Sequence, residues 1–143
     1  MPEAGDGTEK RRITDIVIHC TASEEGRDVS ADDIRALHLE NGWDDIGYHY
    51  VVRLDGTVES GRPEHVVGAH VYGHNGHSIG VVYVGGIDAD KCPKDTRTTA
   101  QRKALRRVVA ELLEKYPDAR VCGHRDFPNV AKACPSFDVE TDL

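Results

Sequence analysis

A short apolar run near the start of the chain constrains the fold more than any other feature of the sequence. Ile16, Val17 and Ile18 are three consecutive β-branched residues, so this run of three is apolar on both sides. Strands that are apolar on both sides belong to sheets that are covered on both faces. The segment 13–20 therefore predicts a buried central strand, and His19 stands at its carboxyl end.

Two capping patterns predict helices. Ser30 is followed by Asp33, and Thr98 is followed by Gln101, the spacing at which a side chain and a backbone amide cap each other reciprocally. The second helix has apolar residues at 3.6-residue spacing and is expected to end at Pro117.

Four further strands are expected, at 47–54, 57–60, 78–84 and 119–123. Asp55 and Gly56 predict a hairpin turn between the first two strands. The last strand is predicted to be an inner strand that delivers His124 at its carboxyl end. This order favours an α/β fold, a single domain with a central mixed β-sheet flanked by helices. In such sheets an active site is expected at the carboxyl ends of the strands.

Length and charge narrow the class of protein further. A chain of 143 residues fits one domain, which we place at residues 13–143 after a flexible tail at residues 1–12. The net charge of −7 argues against nucleic acid as the primary partner. We see neither a signal peptide nor an apolar run long enough to cross a membrane. We therefore expect a monomer made in the cytoplasm and not inserted in a membrane.

Histidine and cysteine give the first functional indication, because the chain has eight histidines. His19 and His124 each follow an apolar strand, and Cys134 lies ten positions after His124. Two imidazoles and a thiolate can hold zinc and leave a fourth position open for water. The alternative is that both histidines are polar strand ends and that Cys134 is a small buried hydrophobic residue. Spacing alone does not decide between these two interpretations.

Two other cysteines lie close to this group. Cys20 would face the opposite side of its strand from His19, and Cys122 lies two residues before His124. We expect both to be buried thiols rather than metal ligands. A Cys20–Cys122 disulfide is the less favoured alternative in a reducing compartment.

Several segments, taken in order, resemble the type 2 zinc-dependent N-acetylmuramoyl-L-alanine amidases, a family that includes bacteriophage lysozymes and peptidoglycan recognition proteins. The resemblance covers most of residues 13–139. It is carried by segments 16–23 (IVIHCTAS), 47–50 (GYHY), 55–58 (DGTV), 68–70 (GAH), 78–81 (SIGV), 123–126 (GHRD) and 133–138 (ACPSFD), and by Asn75.

This resemblance implies an enzyme and assigns its residues. It makes His19, His124 and Cys134 the ligands of one zinc ion, and it makes the substrate the amide between N-acetylmuramic acid and L-alanine in bacterial peptidoglycan. Tyr48 would orient the attacking water, and Lys132 would stabilise the oxyanion of the tetrahedral intermediate. The resemblance also implies substrate contacts, for which we name His70, Asn75 and Ser78.

The resemblance leaves two alternatives to a purely lytic enzyme of the endolysin type. Some members of the superfamily bind peptidoglycan without cleaving it, but these have typically lost the cysteine ligand, and Cys134 is present here. Some phage lysozymes of this family also bind and inhibit the phage RNA polymerase, and nothing in this acidic sequence identifies such a contact. As an endolysin, the protein would wait in the cytoplasm and act on the cell wall after release.

Overall fold

A computed structural model describes residues 11–128, 130 and 133–143. These residues form seven strands and three α-helices. The strands are β1 (Asp15–Cys20), β2 (Ser23–Glu24), β3 (Tyr50–Val52), β4 (Val58–Ser60), β5 (Ser78–Tyr83), β6 (Gly86–Ile87) and β7 (Arg120–Gly123). The helices are α1 (Ala31–Glu40), α2 (Thr99–Lys115) and α3 (Val139–Asp142), and 3-10 turns lie at Asn75–His77 and His124–Asp126.

The main sheet is mixed, as the sequence predicts. Its strand order is β4-β3-β5-β1-β7. Strand β1 runs parallel to β5 and β7, β3 runs parallel to β5, and only β3 and β4 pair in an antiparallel manner. Strands β2 and β6 form a second, two-stranded parallel sheet beside the ends of β1 and β5. The carboxyl ends of β1, β5 and β7 therefore meet at one edge.

Local sequence signals place several elements correctly. Both predicted capping boxes are present, at Ser30 with Asp33 before α1 and at Thr98 with Gln101 before α2. The predicted hairpin is present too, because Val52 pairs with Val58 across the Asp55-Gly56 turn. Its strands are shorter than the sequence indicates.

The prediction that the last strand lies inside the sheet is wrong. Strand β7 pairs only with β1 among the described strands and forms an edge of the sheet. Its first residue, Arg120, is exposed, while Cys122 and Gly123 are buried. Helix α3 packs against β7, so the apolar end of this strand is covered by a helix instead of by another strand.

The two faces of the sheet pack against different helices. On one face, Ile16 and Ile18 belong to a cluster with Leu105 of α2. On the other face, Val51 and Val82 pack with Ile34 of α1. Because side chains alternate along a strand, His19 lies on the second face, opposite α2.

The amino-terminal end of the described chain is attached to the domain by one side chain. The Arg11 guanidinium donates hydrogen bonds to the carbonyl oxygens of Glu64, Asn75 and Ser78. Residues 1–10 of the predicted tail lie outside the described residues, and the domain boundary at residue 13 stays a prediction. No helix in the described ranges is long and apolar enough to span a membrane.

Candidate metal centre

Three side chains from distant parts of the chain meet at the carboxyl edge of the sheet. His19 lies near the end of β1, His124 directly follows β7, and Cys134 lies in the loop before α3. Their ligand atoms all lie within 4.8 Å of one another. The His19 and His124 ring centroids are 4.8 Å apart, and His19 Nδ1 is 3.9 Å from Cys134 Sγ. The fold thus brings together the three residues that the sequence proposed as ligands.

Backbone contacts fix the segment that carries Cys134. The Arg125 amide donates to the Cys134 carbonyl at 2.9 Å, and the Tyr83 hydroxyl donates to the Pro135 carbonyl at 2.6 Å. Gly123 allows the close approach, because a Cβ atom there would lie 2.8 Å from Pro135 Cδ. The Cys20 amide donates to Cys134 Sγ at 3.2 Å, and a hydrogen bond of this kind stabilises a thiolate.

This group of donors fits a tetrahedral metal ion. Zinc bonds of 2.0–2.1 Å to nitrogen and 2.3 Å to sulfur imply ligand atoms about 3.3–3.6 Å apart. The 3.9 Å separation of His19 Nδ1 and Cys134 Sγ lies just above that range, and all three ligand atoms lie within 4.8 Å of one another. Three protein ligands leave one position for water or substrate, the arrangement of catalytic rather than structural zinc sites. The residues can therefore hold a metal ion in a reactive geometry.

Tyr48 lies beside this group. Its ring centroid is 5.1 Å from that of His19, and its side chain is half-buried. Burial, reinforced by the nearby thiols of Cys134 and Cys20, raises the pKa of Tyr48 well above its ordinary value. The hydroxyl therefore keeps its proton at neutral pH and can act as a hydrogen-bond donor.

A cleft of about 520 Å³ leads to Tyr48. It lies between α1 and the loop after β1, and Thr21, Arg27, Leu37 and His38 are among the residues that line it. A volume of this size is typical of small-molecule sites. Arg27, Leu37 and His38 could not be predicted as cleft residues, because they lie near Tyr48 only through the packing of α1 and of the loop that precedes it.

His70, Asn75 and Ser78 lie behind His19 rather than in the cleft. His70 Nδ1 is 2.9 Å from His19 Nε2, and His70 Nε2 is 3.1 Å from the Ser78 hydroxyl. Asn75 Oδ1 accepts hydrogen bonds from the amides of His70 and Val71, both at 2.8 Å. Ser78 has no exposed surface. Each of the three has partners within the protein, and their predicted contact with substrate stays a prediction.

Burial explains the charge state of His70. Loss of solvent, with smaller contributions from His49 and His124, lowers its pKa to about 3. The ring is therefore neutral at physiological pH, and one of its nitrogens accepts while the other donates. Lys132, which the resemblance assigns to the oxyanion, lies outside the described residues.

The remaining cysteines agree with the sequence analysis. Cys20 and Cys122 are buried thiols and form no disulfide. The register pairs Cys122 with Val17, and Cys20 belongs to the cluster on the α2 face while Cys122 packs on the other face. This arrangement excludes the alternative of a Cys20–Cys122 disulfide in the present fold.

Known proteins are similar to this chain in sequence. The model of the N-acetylmuramoyl-L-alanine amidase family matches residues 9–137. The endolysin of Klebsiella phage KP32 is 45% identical over 133 residues, 93% of this chain and 87% of that protein. The endolysin of Escherichia phage T7 is 46% identical over 133 residues, 92% of this chain and 86% of that protein.

Solved structures are similar to this chain in fold. The amidase LysC from Clostridium intestinale aligns with a TM-score of 0.76 and 29% identity, over 90% of this chain and 79% of that one. PGRP-SA from Apis mellifera aligns with a TM-score of 0.73 and 26% identity, over 89% of this chain and 78% of that one. The chain belongs to the N-acetylmuramoyl-L-alanine amidase family.

Proposed function

We propose that this chain uses one zinc ion to hydrolyse the amide between N-acetylmuramic acid and L-alanine in bacterial peptidoglycan. The observation that carries the proposal is the convergence of His19, His124 and Cys134 beside Tyr48, a residue that lines the cleft. The matched family and the endolysin relatives support the same reaction.

The two imidazoles and the thiolate would hold the metal. When bound, zinc lowers the pKa of a water molecule toward ~7 and polarises the scissile carbonyl. The protein would keep water away on the His19 side of the centre, since His19 is 1% exposed, whereas His124 and Cys134 are partly exposed. Exclusion of water strengthens the electrostatic interactions on which the reaction depends.

Tyr48 would orient the attacking water. A tyrosine hydroxyl is protonated at neutral pH, so Tyr48 can donate a hydrogen bond to an oxygen that gains negative charge. Its position on the cleft wall, 5.1 Å from His19 between ring centroids, supports this role.

Lys132 would stabilise the oxyanion. It precedes Cys134 by two residues in the sequence, and a cation near the metal can stabilise a developing oxyanion. This assignment rests on the family resemblance.

Where the protein acts follows from its substrate. We infer that it is an endolysin, made inside the cell and active on the wall at lysis, since its phage relatives carry that name. We also propose that it works as a monomer, because all three ligands and Tyr48 come from one chain. Binding to a phage RNA polymerase stays a prediction from the resemblance.

Digestion of purified peptidoglycan tests the proposed reaction. Mass spectrometry of the products should reveal stem peptides with a free L-alanine amino terminus and glycan strands without those peptides. A chelator should stop their release, and added zinc should restore it. Tight binding to the wall without new amino termini would contradict the proposal and indicate a recognition module instead.

A further inference from the structure

A chain of hydrogen bonds runs from a backbone carbonyl to the candidate metal centre. It begins at the His74 carbonyl, passes through the Ser78 hydroxyl and the His70 ring, and ends at His19. The three links measure 2.8, 3.1 and 2.9 Å. All are within the normal range for hydrogen bonds.

The His74 carbonyl, at one end of this series of hydrogen bonds, determines which atom donates in each of them. A carbonyl oxygen can only accept, so the single hydroxyl proton of Ser78 points at His74. The Ser78 oxygen must then accept the proton on His70 Nε2. A neutral imidazole has one N–H, so His70 Nδ1 is an acceptor. It accepts from His19 Nε2, which therefore carries the proton of that ring.

We propose that His70 and Ser78 are positioning residues that hold His19 in the tautomer with its proton on Nε2, so that its Nδ1 lone pair faces the metal. This inference rests on the proposed function, because it assumes that His19 is a zinc ligand. The geometry agrees, since His19 Nδ1 is the nitrogen 3.9 Å from Cys134 Sγ. Partners of this kind fix the orientation of a ligand imidazole and raise metal affinity.

The surroundings of His70 are built to keep its ring in place. A Cβ atom at Gly80 would lie 2.7 Å from His70 Cγ, and one at Gly68 would lie 2.9 Å from His70 Cδ2. The ring fits only because both neighbours lack side chains. Asn75 fixes the backbone on the remaining side by accepting the amide protons of His70 and Val71. Gly80, Gly68 and Asn75 thus all restrict the position of His70.

Zinc affinity, measured by competition with a chromophoric chelator, tests the inference without using peptidoglycan. His70→Leu removes the acceptor but keeps a side chain of similar size, and it should weaken zinc binding by about 10- to 100-fold. Ser78→Ala should weaken it less, because His70 can still accept in one of its two tautomers. His70→Asn places an oxygen near the position of Nδ1 and should recover most of the affinity lost in His70→Leu.

A separate variant controls for a general loss of stability. Val109→Ala truncates a buried residue of α2 in the cluster on the opposite face of the sheet, and it should lower the melting temperature without changing zinc affinity. Parent-like affinity in both His70→Leu and Ser78→Ala would overturn the inference. It would also be overturned if His70→Asn bound zinc as weakly as His70→Leu, since ring packing alone would then explain the loss.

A spectroscopic measurement on the unmodified protein tests the tautomers directly. Long-range 15N–1H correlation spectra of the zinc-free protein should place the ring protons of both His19 and His70 on Nε2. A proton on Nδ1 of His70 would overturn the inference. Zinc binding with this network intact but without amide hydrolysis would instead overturn only the proposed function.

Discussion

The backbone of Gly80 lies directly against the ring of His70. A Cβ atom at position 80 would lie 2.7 Å from His70 Cγ and 2.8 Å from its Nδ1, closer than side-chain atoms pack. The same His70 Nδ1 is 2.9 Å from His19 Nε2. A glycine in the middle of β5 therefore controls the position of a ring that contacts a candidate metal ligand.

Substitution at Gly80 should consequently disturb both stability and metal binding. Gly80→Ala forces the His70 ring to move, and we expect a loss of about 1–3 kcal/mol in the free energy of unfolding together with weaker zinc binding. Gly76→Ala is the matched control, because a Cβ atom there meets nothing within 4 Å. Chemical denaturation of both variants measures the effect, and equal stabilities would contradict the tight packing described here.

Tyr48→Phe should separate catalysis from metal binding. Removal of the hydroxyl takes away the donor proposed to orient water, and turnover should fall by about 10²-fold or more. The zinc content should stay at the parent value, because Tyr48 is not among the three ligands. Tyr72→Phe provides the control, since Tyr72 is 99% exposed. Parent-like release of amino termini by Tyr48→Phe would remove Tyr48 from the mechanism.

Lys132→Ala should have a similar kinetic effect through the oxyanion. Loss of one stabilising group of this kind typically lowers kcat by about 10²- to 10³-fold. Single-turnover hydrolysis of a muramoyl peptide would measure the loss, with zinc content determined on the same sample. Unchanged hydrolysis would show that another group stabilises the oxyanion.

Structural features that form between residues close in sequence can be predicted from the sequence. The capping boxes at Ser30 and Thr98 form between residues three positions apart, so their patterns identify the starts of α1 and α2. The Asp55-Gly56 turn is equally local. The three ligands are also predicted, but that prediction needs the family resemblance, since no spacing rule links His19 to Cys134.

Features that depend on how distant strands pair cannot be predicted from the sequence. The edge position of β7 depends on which strand it pairs with, and nothing within residues 120–123 encodes that choice. The contact of His70 with His19 depends on the pairing of β5 with β1, which places Gly80 beside Val17. The contact of His70 with His19 could therefore not be predicted from the sequence, and the substrate contacts predicted for His70 and Ser78 stay predictions.

A cluster of polar groups around Glu64 joins the hairpin to α2. Its carboxylate accepts hydrogen bonds from the hydroxyls of Tyr50 and Tyr116 and from Lys115 Nζ. Burial acts to raise the pKa of Glu64, but the three hydrogen bonds together outweigh it and hold the pKa below its ordinary value of 4.5. The carboxylate is thus stabilised in its charged form.

The lowered pKa of Glu64 makes the free energy of unfolding depend on pH in a defined direction. Because the pKa is lower in the folded state, Glu64 contributes stability above pH 4.5, and the contribution declines as pH falls through the folded-state pKa. Glu64→Gln should cost about 1–3 kcal/mol at pH 7, and the difference from the parent should shrink at low pH. Urea denaturation across this pH range measures it, with the exposed Glu114→Gln as a control for charge. A difference that does not vary with pH would contradict the assignment.

The most direct test of the central claim is the zinc content of the purified protein and of two cysteine variants, measured by mass spectrometry of the metal. The parent and Cys122→Ser should each hold one zinc per chain, because Cys122 is a buried thiol outside the ligand group. Cys134→Ala should lose the metal and, with it, chelator-sensitive release of L-alanine amino termini. Stoichiometric zinc and full activity in Cys134→Ala would contradict the account of a metal centre formed by His19, His124 and Cys134.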